Sequence, residues 1–350
     1  MLQQITVGSF LTKLGSMGSN DTTSNLFIEN GYLRRILILD QMYYLSIVIN
    51  LPDICFPNNI LTILKKHSKT DTITIITKSK EEKGILVEEK LMVVQSFNKE
   101  FIYSMSQNKD EECKTFEVTK NETWNDIRGL KNIKCLQKSK KTLGKPIEYY
   151  FLVNNGNIVA TDARRLFVGN FAEWHKADRN KDIRIPYGVL NLLGKEWKYA
   201  AVGEELLFRD STGLQIRTGL AKFDYPDWYS IMKQKLAENC QEVSTFLPEL
   251  ASFIEKALWV ENNDKVTIQC ENNRAKIVSH NKDTGHGFSS SDFGQVSSVD
   301  NAEASFNGMH LLRWLKVVES SNFKLKINST SSTIYFTDNG NFFLLCCIKY

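Results

Sequence analysis

The sequence is poor in the residues that mark special architecture or special chemistry. Its 350 residues include only 6 prolines, 5 histidines and 7 cysteines. So little proline, with 42% hydrophobic and 24% charged residues, excludes a disordered, collagenous or low-complexity chain. The cysteines (Cys55, Cys113, Cys135, Cys240, Cys270, Cys346 and Cys347) form no CxxC pair and have no histidine at zinc-finger spacing. A metal knuckle or disulfide framework is therefore not expected, and the thiols read as free in a reducing compartment. Long hydrophobic runs are also missing: the most apolar stretch, Ile36 to Ile49, is broken by Asp40 and Gln41, and no basic region leads an apolar run at the N-terminus. The expectation is a cytoplasmic chain with no membrane partner.

Catalytic signatures are lacking too. There is no GxxxxGK[ST], GxGxxG, GxSxG or HExxH, and no DxD pair in a convincing context. The histidines (His67, His175, His280, His286 and His310) have no neighbouring cysteine or acid at a diagnostic spacing. Thr284 to Asp292, around His286, is the one segment that looks like an active-site loop. A Gly/Ser loop between strands accounts for it better, because no second catalytic partner is identifiable. The chain is expected to be no enzyme and to carry no cofactor or metal.

What the sequence has is repetition. Phe56-Pro-Asn-Asn-Ile-Leu-Thr-Ile-Leu-Lys-Lys66, Ile185-Pro-Tyr-Gly-Val-Leu-Asn-Leu-Leu-Gly-Lys195 and Phe306-Asn-Gly-Met-His-Leu-Leu-Arg-Trp-Leu-Lys316 share one pattern: an apolar residue, then Pro or Asn, a Leu five residues on and a Lys ten residues on. Pro or Asn in second place suits a helix start, so three short helices are expected, with Ile60, Leu61 and Leu64, or Val189, Leu190 and Leu193, making one buried face. A second element repeats out of phase: Asn30-Gly31, Asn155-Gly156 and Asn272-Asn273 each sit between two apolar runs, a hairpin signal. Further hairpins are expected at Ser211-Thr-Gly213 and Asn339-Gly340. The pattern implies an α+β fold with antiparallel strands, repeated as three domains, 1–115, 116–235 and 236–350, with no linker between them.

Net charge is +4, and the excess sits in the middle third: 116–235 holds 21 basic and 14 acidic residues, against 13 and 13 before it and 10 and 13 after it. A basic run from Lys120 to Lys145 overlaps an expected helix from Glu122 to about Lys131, where Arg128 and Lys131 would share a face. With Lys195 and Lys198 nearby, and a lysine at one equivalent place in each repeat (Lys66, Lys195, Lys316), the chain presents a rail of charge suited to a polyanion read without regard to sequence, such as duplex DNA.

Val159-Ala-Thr-Asp-Ala-Arg-Arg-Leu166 resembles the VATDGHRL signature of bacterial DNA polymerase III β subunits, the sliding clamps. The resemblance continues in register through Ile185-Pro, Tyr225-Pro-Asp-Trp228 for the family's FPDY, Phe306-Asn for its FN, and Phe343-Leu-Leu-Cys-Cys-Ile-Lys-Tyr350 for its terminal YVVMPMRL. It covers residues 116 to 350, and the first third matches through the repeat and Phe56-Pro-Asn-Asn. The divergence suggests a phage, plasmid or reduced-genome version of the family.

This resemblance implies three clamp-fold domains per chain, with two chains closing into a ring that has helices inside and sheets outside. The ring would encircle duplex DNA without base contacts, be loaded by a clamp loader and tether a DNA polymerase. The implied partner pocket uses Thr161, Ala163, Arg164, Arg165 and Leu166, then Pro226, Ser230 and Ile231, then Leu344, Cys346, Cys347, Ile348 and Lys349, with Arg165 or Lys349 at its rim. Ala163-Arg164 replaces the family's Gly-His, Ser230 stands where an arginine is usual, and Cys346-Cys347-Ile348 replaces Met-Pro-Met, which implies a shifted peptide preference. The ring contact maps to Leu258 and Trp259 against the strand carrying Phe101 and Tyr103. The alternative is a clamp-fold monomer that serves replication or transcription proteins as an adaptor without forming a ring.

Overall fold

The computed structural model describes residues 4–17, 26–38, 42–57, 59–82, 85–105, 123–127, 130–133, 136, 149–154, 157–176, 181–192, 196–260, 264–281, 284–297, 301–328 and 333–346. In chain order the elements are β1 (Gln4–Thr6), α1 (Val7–Ser16), β2 (Leu26–Glu29), β3 (Tyr32–Ile38), β4 (Met42–Val48), β5 (Ile54–Phe56), α2 (Ile60–Leu64), β6 (Thr72–Glu82), β7 (Ile85–Ser96), β8 (Lys99–Ser104), β9 (Asn125–Asp126), α3 (Leu130–Ile133), β10 (Tyr150–Asn154), β11 (Asn157–Thr161), β12 (Arg165–Val168), β13 (Ile183–Pro186), β14 (Lys198–Val202), β15 (Glu205–Arg209), β16 (Gln215–Gly219), α4 (Trp228–Ala237), β17 (Gln241–Phe246), α5 (Leu247–Leu258), β18 (Lys265–Glu271), β19 (Arg274–His280), β20 (Gly287–Ser289), β21 (Gly294–Val296), β22 (Ala302–Asn307), α6 (Gly308–Leu315), β23 (Asn322–Asn328), β24 (Thr333–Asp338) and β25 (Asn341–Cys346). They fall into two compact units, 1–126 with 186–221, and 127–185 with 222–350.

The first unit holds an antiparallel sheet β1-β6-β7-β8 and an eight-stranded one, β5-β2-β3-β4-β16-β15-β14-β9. Helix α1 starts where the Thr6 hydroxyl accepts a hydrogen bond from the Ser9 amide at 3.1 Å, and it buries Val7, Phe10 and Leu14, a spacing of three and four that marks its inner face. A side chain at Gly8 would begin 2.9 Å from the Lys69 carbonyl oxygen, so glycine is what lets this helix approach the segment after α2. Phe10 meets Phe56 edge to face at 5.3 Å, and Ile60 and Leu64 of α2 join the same interior.

The second unit is built on one sheet ordered β13-β10-β11-β12-β25-β24-β23-β17-β21-β19-β18-β22, with β20 on β19. Phe167, Phe336 and Phe343, with Trp314 of α6, form its aromatic centre; Phe336 stacks on Phe343 at 4.6 Å and Trp314 meets it edge-on at 5.5 Å.

The expected hairpins form with the turns their residues dictate. Asn30-Gly31, Asn272-Asn273 and Asn339-Gly340 all have positive φ at both central positions (51° and 75°, 51° and 63°, 47° and 77°), the two-residue turn whose twist suits a hairpin. Gly213 turns at φ 86° between β15 and β16. Asn155-Gly156 lies outside the described residues.

The three repeat helices start two residues or a little more after their apolar residue, as α2, a 3-10 helix at Tyr187–Asn191, and α6. The middle one is tighter and shorter than expected because Gly188 and Asn191 are weak helix formers. The helix expected from Glu122 to Lys131 is a correction. Asn125–Asp126 instead pair as a strand with Lys198–Tyr199, and only Leu130–Ile133 are helical among the described residues. Asn and Asp compete for backbone hydrogen bonds within a helix, and the open edge of β14 offers their backbone a ladder instead. Of the expected domain boundaries, 115 lies outside the described residues and 235 falls inside α4.

Candidate partner-binding site

The turn joining β11 to β12 carries the centre of the site. Asp162 is 6% exposed and accepts from the amides of Arg164 (3.0 Å) and Arg165 (2.7 Å) and from the Arg165 guanidinium through Nε (2.9 Å) and Nη2 (2.7 Å). The Thr161 hydroxyl donates to the Arg165 carbonyl at 2.6 Å and accepts from the Ala163 amide at 3.1 Å. These bonds hold Ala163 at φ 68°, left-handed backbone in which a methyl group is strained and a glycine would not be.

The turn rests on β25. Arg165 faces Leu345 and Leu166 faces Leu344 across the ladder, and the Cys346 amide donates to the Arg164 carbonyl at 2.8 Å. Beneath it, Leu152, Val159, Leu166, Val168, Trp174, Tyr335, Phe342 and Leu344 form one buried cluster with Trp228 and Met232 of α4, and Tyr225 and Tyr229 pack against it. Helix α4 opens with Asp227, whose carboxylate accepts from the Ser230 amide (3.2 Å) and hydroxyl (2.6 Å). Trp228, Met232 and Lys235 point inward at spacings of four and three, which leaves Ser230, Ile231 and Leu236 exposed.

Three distant segments, 161–166, 226–231 and 344–346, thus meet around one apolar cluster. The surface they present is Ala163, Arg164, Ser230, Ile231 and Cys346, with Pro226 half-buried. Thr161, Leu166 and Leu344 are buried supports. The rim role expected of Arg165 is corrected: it is 5% exposed, bound to Asp162, and stacked 5.8 Å from the Trp314 ring, so the exposed cation of this turn is Arg164. Cys347, Ile348 and Lys349 lie outside the described residues.

Sequence reading placed α6 as a repeat helix but missed its part in this site. His310 is half-buried there, and burial holds its pKa down to about 4, assisted by Arg165, Arg313 and Arg164 and opposed by Asp162. Its position four residues after Phe306 in the third repeat was the available signal. Tyr225 is also drawn in: burial raises its pKa, and Thr161 and Asp162 both act on its hydroxyl.

Of the residues expected to face DNA, Lys66 and Lys316 are exposed just beyond their helices, and Lys198 pairs with Asp126 at 3.4 Å. Lys131 lies in α3, and Arg128 and Lys195 lie outside the described residues. Of the expected ring contacts, Trp259 is 86% exposed just past α5 and Leu258 is half-buried. Phe101 is 39% exposed on β8, the edge of its sheet, where the Tyr103 hydroxyl lies 2.7 Å from His67 Nε2. Around His286, β20 pairs with β19 and Arg274 pairs with Asp292, an ordinary strand connection. Among the described residues, no helix is long and apolar enough to cross a membrane.

No family model and no curated protein matches the sequence. Among solved structures, the chain is similar to the DnaN sliding clamp (DNA polymerase III subunit beta) of Pseudomonas aeruginosa bound to griselimycin, at 16% identity and TM-score 0.75. It is equally similar to the DNA polymerase sliding clamp of Bacillus subtilis (15%, 0.75) and to a putative DNA polymerase III beta subunit of Eubacterium rectale (11%, 0.75). Each match covers 100% of both chains. The chain has the sliding-clamp fold from end to end.

Proposed function

We propose that this protein is a DNA polymerase processivity factor, a sliding clamp that encircles duplex DNA and performs no chemistry of its own. The observation that carries the reading is the full-length clamp fold, joined in the second unit to an apolar surface assembled from three distant segments. A clamp acts by tethering: a polymerase held by a short peptide at Ile231, Pro226 and Cys346 finds its template at a high local concentration after each dissociation. The site suits that use, because a buried aromatic and aliphatic cluster supports a small exposed face instead of enclosing a substrate.

Three domains per chain, divided near 115 and 235, and two chains per ring complete the proposal. A clamp loader would open and close the ring on DNA, and the protein would work in the cytoplasm. Closure would use the free edges of the sheets, β8 in one unit and β22 in the other, with Trp259 and Leu258 of one copy against Phe101 and Tyr103 of the next. A closed two-fold ring needs this interface twice, so one missing anchor is felt twice. Replacing Trp259 with Ala should move the protein from a dimer of about 80 kDa, twice 40.1 kDa, to a monomer in sedimentation, at a cost of a few kcal/mol per interface. A wild-type protein that is monomeric at every concentration would favour the adaptor reading, and a dimer unaffected by the substitution would place the interface elsewhere.

A further inference from the structure

The β11–β12 turn gathers more positive charge than it neutralises. Asp162 is fully occupied by two backbone amides and the Arg165 guanidinium. Arg164 projects from the same turn and Arg313 from α6; both are exposed, and neither has an ion-pair partner among the described residues. The two are brought to one place by packing. Arg165 stacks over Trp314, which fixes α6 against the turn, and His310 lies one helical turn before Trp314 and three residues before Arg313 on the same helix. His310 is close enough to Arg164, Arg165 and Arg313 to be influenced by all three, so the corner holds three guanidiniums against one committed carboxylate.

Arg313 also complements the C-terminal end of α6, but that role calls for one cation, not for a second from another element. Apolar surface adjoins the corner. The Arg164 carbonyl accepts from the Cys346 amide, Tyr225, which precedes Pro226, lies within reach of Thr161 and Asp162, and Ile231 at the start of α4 is 40% exposed. A polyanion such as DNA would find two arginines beside a greasy face, whereas a peptide with one acid next to an apolar anchor would satisfy both surfaces at once.

We propose that Arg164 and Arg313 form an acid-recognising corner of the partner site, which selects peptides carrying an Asp or Glu beside their apolar anchor. This rests on the reading of the site as a peptide pocket, and it adds the partner's chemistry. The guanidinium fork matches a carboxylate in two hydrogen bonds, and covering the corner with peptide would strengthen them by excluding water. Specificity then comes from the charge, because a neutral peptide would leave two cations facing one another across a desolvated surface.

The test selects from a displayed library of random short peptides against the full-length protein, in parallel with R164E/R313E and with I231E. All three positions are exposed, so folding should be retained, which circular dichroism checks. Wild type should enrich peptides with an acid at a fixed offset from apolar residues, and R164E/R313E should enrich Lys or Arg at that offset. Changing the acid of a selected peptide to its amide should weaken binding to wild type roughly tenfold but strengthen binding to the double variant, whose two glutamates repel the acid. Apolar peptides without an acid, selected equally by wild type and R164E/R313E but absent with I231E, would overturn the acid corner and leave the pocket standing. Peptides indifferent to I231E, or no enrichment at all, would overturn both. If R164E/R313E instead weakens duplex DNA binding and leaves peptide selection unaltered, the corner faces nucleic acid and the proposal fails.

Discussion

Replacing Asp162 with Ala should unfold the candidate site from within, although the residue presents almost nothing to a partner. The carboxylate is 6% exposed and neutralises an arginine that is 5% exposed. Removing one partner of a buried pair typically costs about 3–5 kcal/mol, since the remaining charge has neither solvent nor counter-charge. The buried amide of Arg165 also loses its acceptor, worth about 1–3 kcal/mol, although the two losses overlap in one small turn. An overall cost near 5 kcal/mol is expected, comparable to the whole stability of a small domain. Asp162→Asn keeps one acceptor for the amides and should cost about half as much. Pairing Asp162→Leu with Arg165→Met removes both charges together and should recover most of the loss. Urea unfolding followed by tryptophan fluorescence measures this, because Trp174, Trp228 and Trp314 all lie in the second unit. A cost below about 1 kcal/mol for Asp162→Ala, or a double variant no better than the single one, would refute the claim that this ion pair sets the turn.

Ala163→Gly should raise stability by about 0.5 kcal/mol, relief of left-handed strain exceeding the added freedom of the unfolded chain, and the same urea titration would expose a loss instead. His310→Gln should flatten the pH dependence of stability. The folded histidine, depressed to about 4, stays neutral while the unfolded one protonates below about 6.5, so wild-type stability falls as pH drops through that window and is unaffected above it. Partial exposure of His310 keeps this slope below its full linkage value, and a wild type and variant with identical profiles from pH 4 to 7 would contradict the assignment. Replacing Lys66, Lys195 and Lys316 together with Ala should weaken duplex binding equally for all sequences and reduce the salt slope by nearly one unit for each phosphate that is no longer neutralised. An unchanged slope would mean that these lysines face away from DNA.

The parts of this fold that were legible in the sequence are those governed by local chemistry. Asn30-Gly31, Asn272-Asn273 and Asn339-Gly340 require one turn type and obtain it, because few residues tolerate two successive positive φ angles. The repeat helices were legible from a Pro or Asn followed by leucines at helical spacing, although only Asn307 caps its helix with a side chain. The strand at Asn125–Asp126 was not, because its only stabilisation comes from β14, more than 70 residues away, and no local pattern encodes that pairing. In the candidate site, family resemblance supplied the three converging segments, but not which side chain of Ala163-Arg164-Arg165 would be exposed. That choice depends on Asp162 and Trp314 claiming Arg165 for the interior, a tertiary fact. His310 and Arg313 were missed for the same reason: on α6 alone they are an ordinary polar residue and a helix-end cation, and only packing against the turn gives them a shared role.

The measurement that bears most directly on the central claim is topological. Protein loaded by its clamp loader onto nicked circular duplex DNA should remain bound through a high-salt wash and be released when the circle is cut, since a ring held by encirclement has no exit from a circle and slides off an end. Retention should disappear with Trp259→Ala, which opens the ring, and persist with Arg164→Glu, which alters only partner choice. Protein that washes off the circle and the linear form alike, or stays on both, would contradict the clamp reading, because its hold on DNA would then depend on direct binding and not on closure.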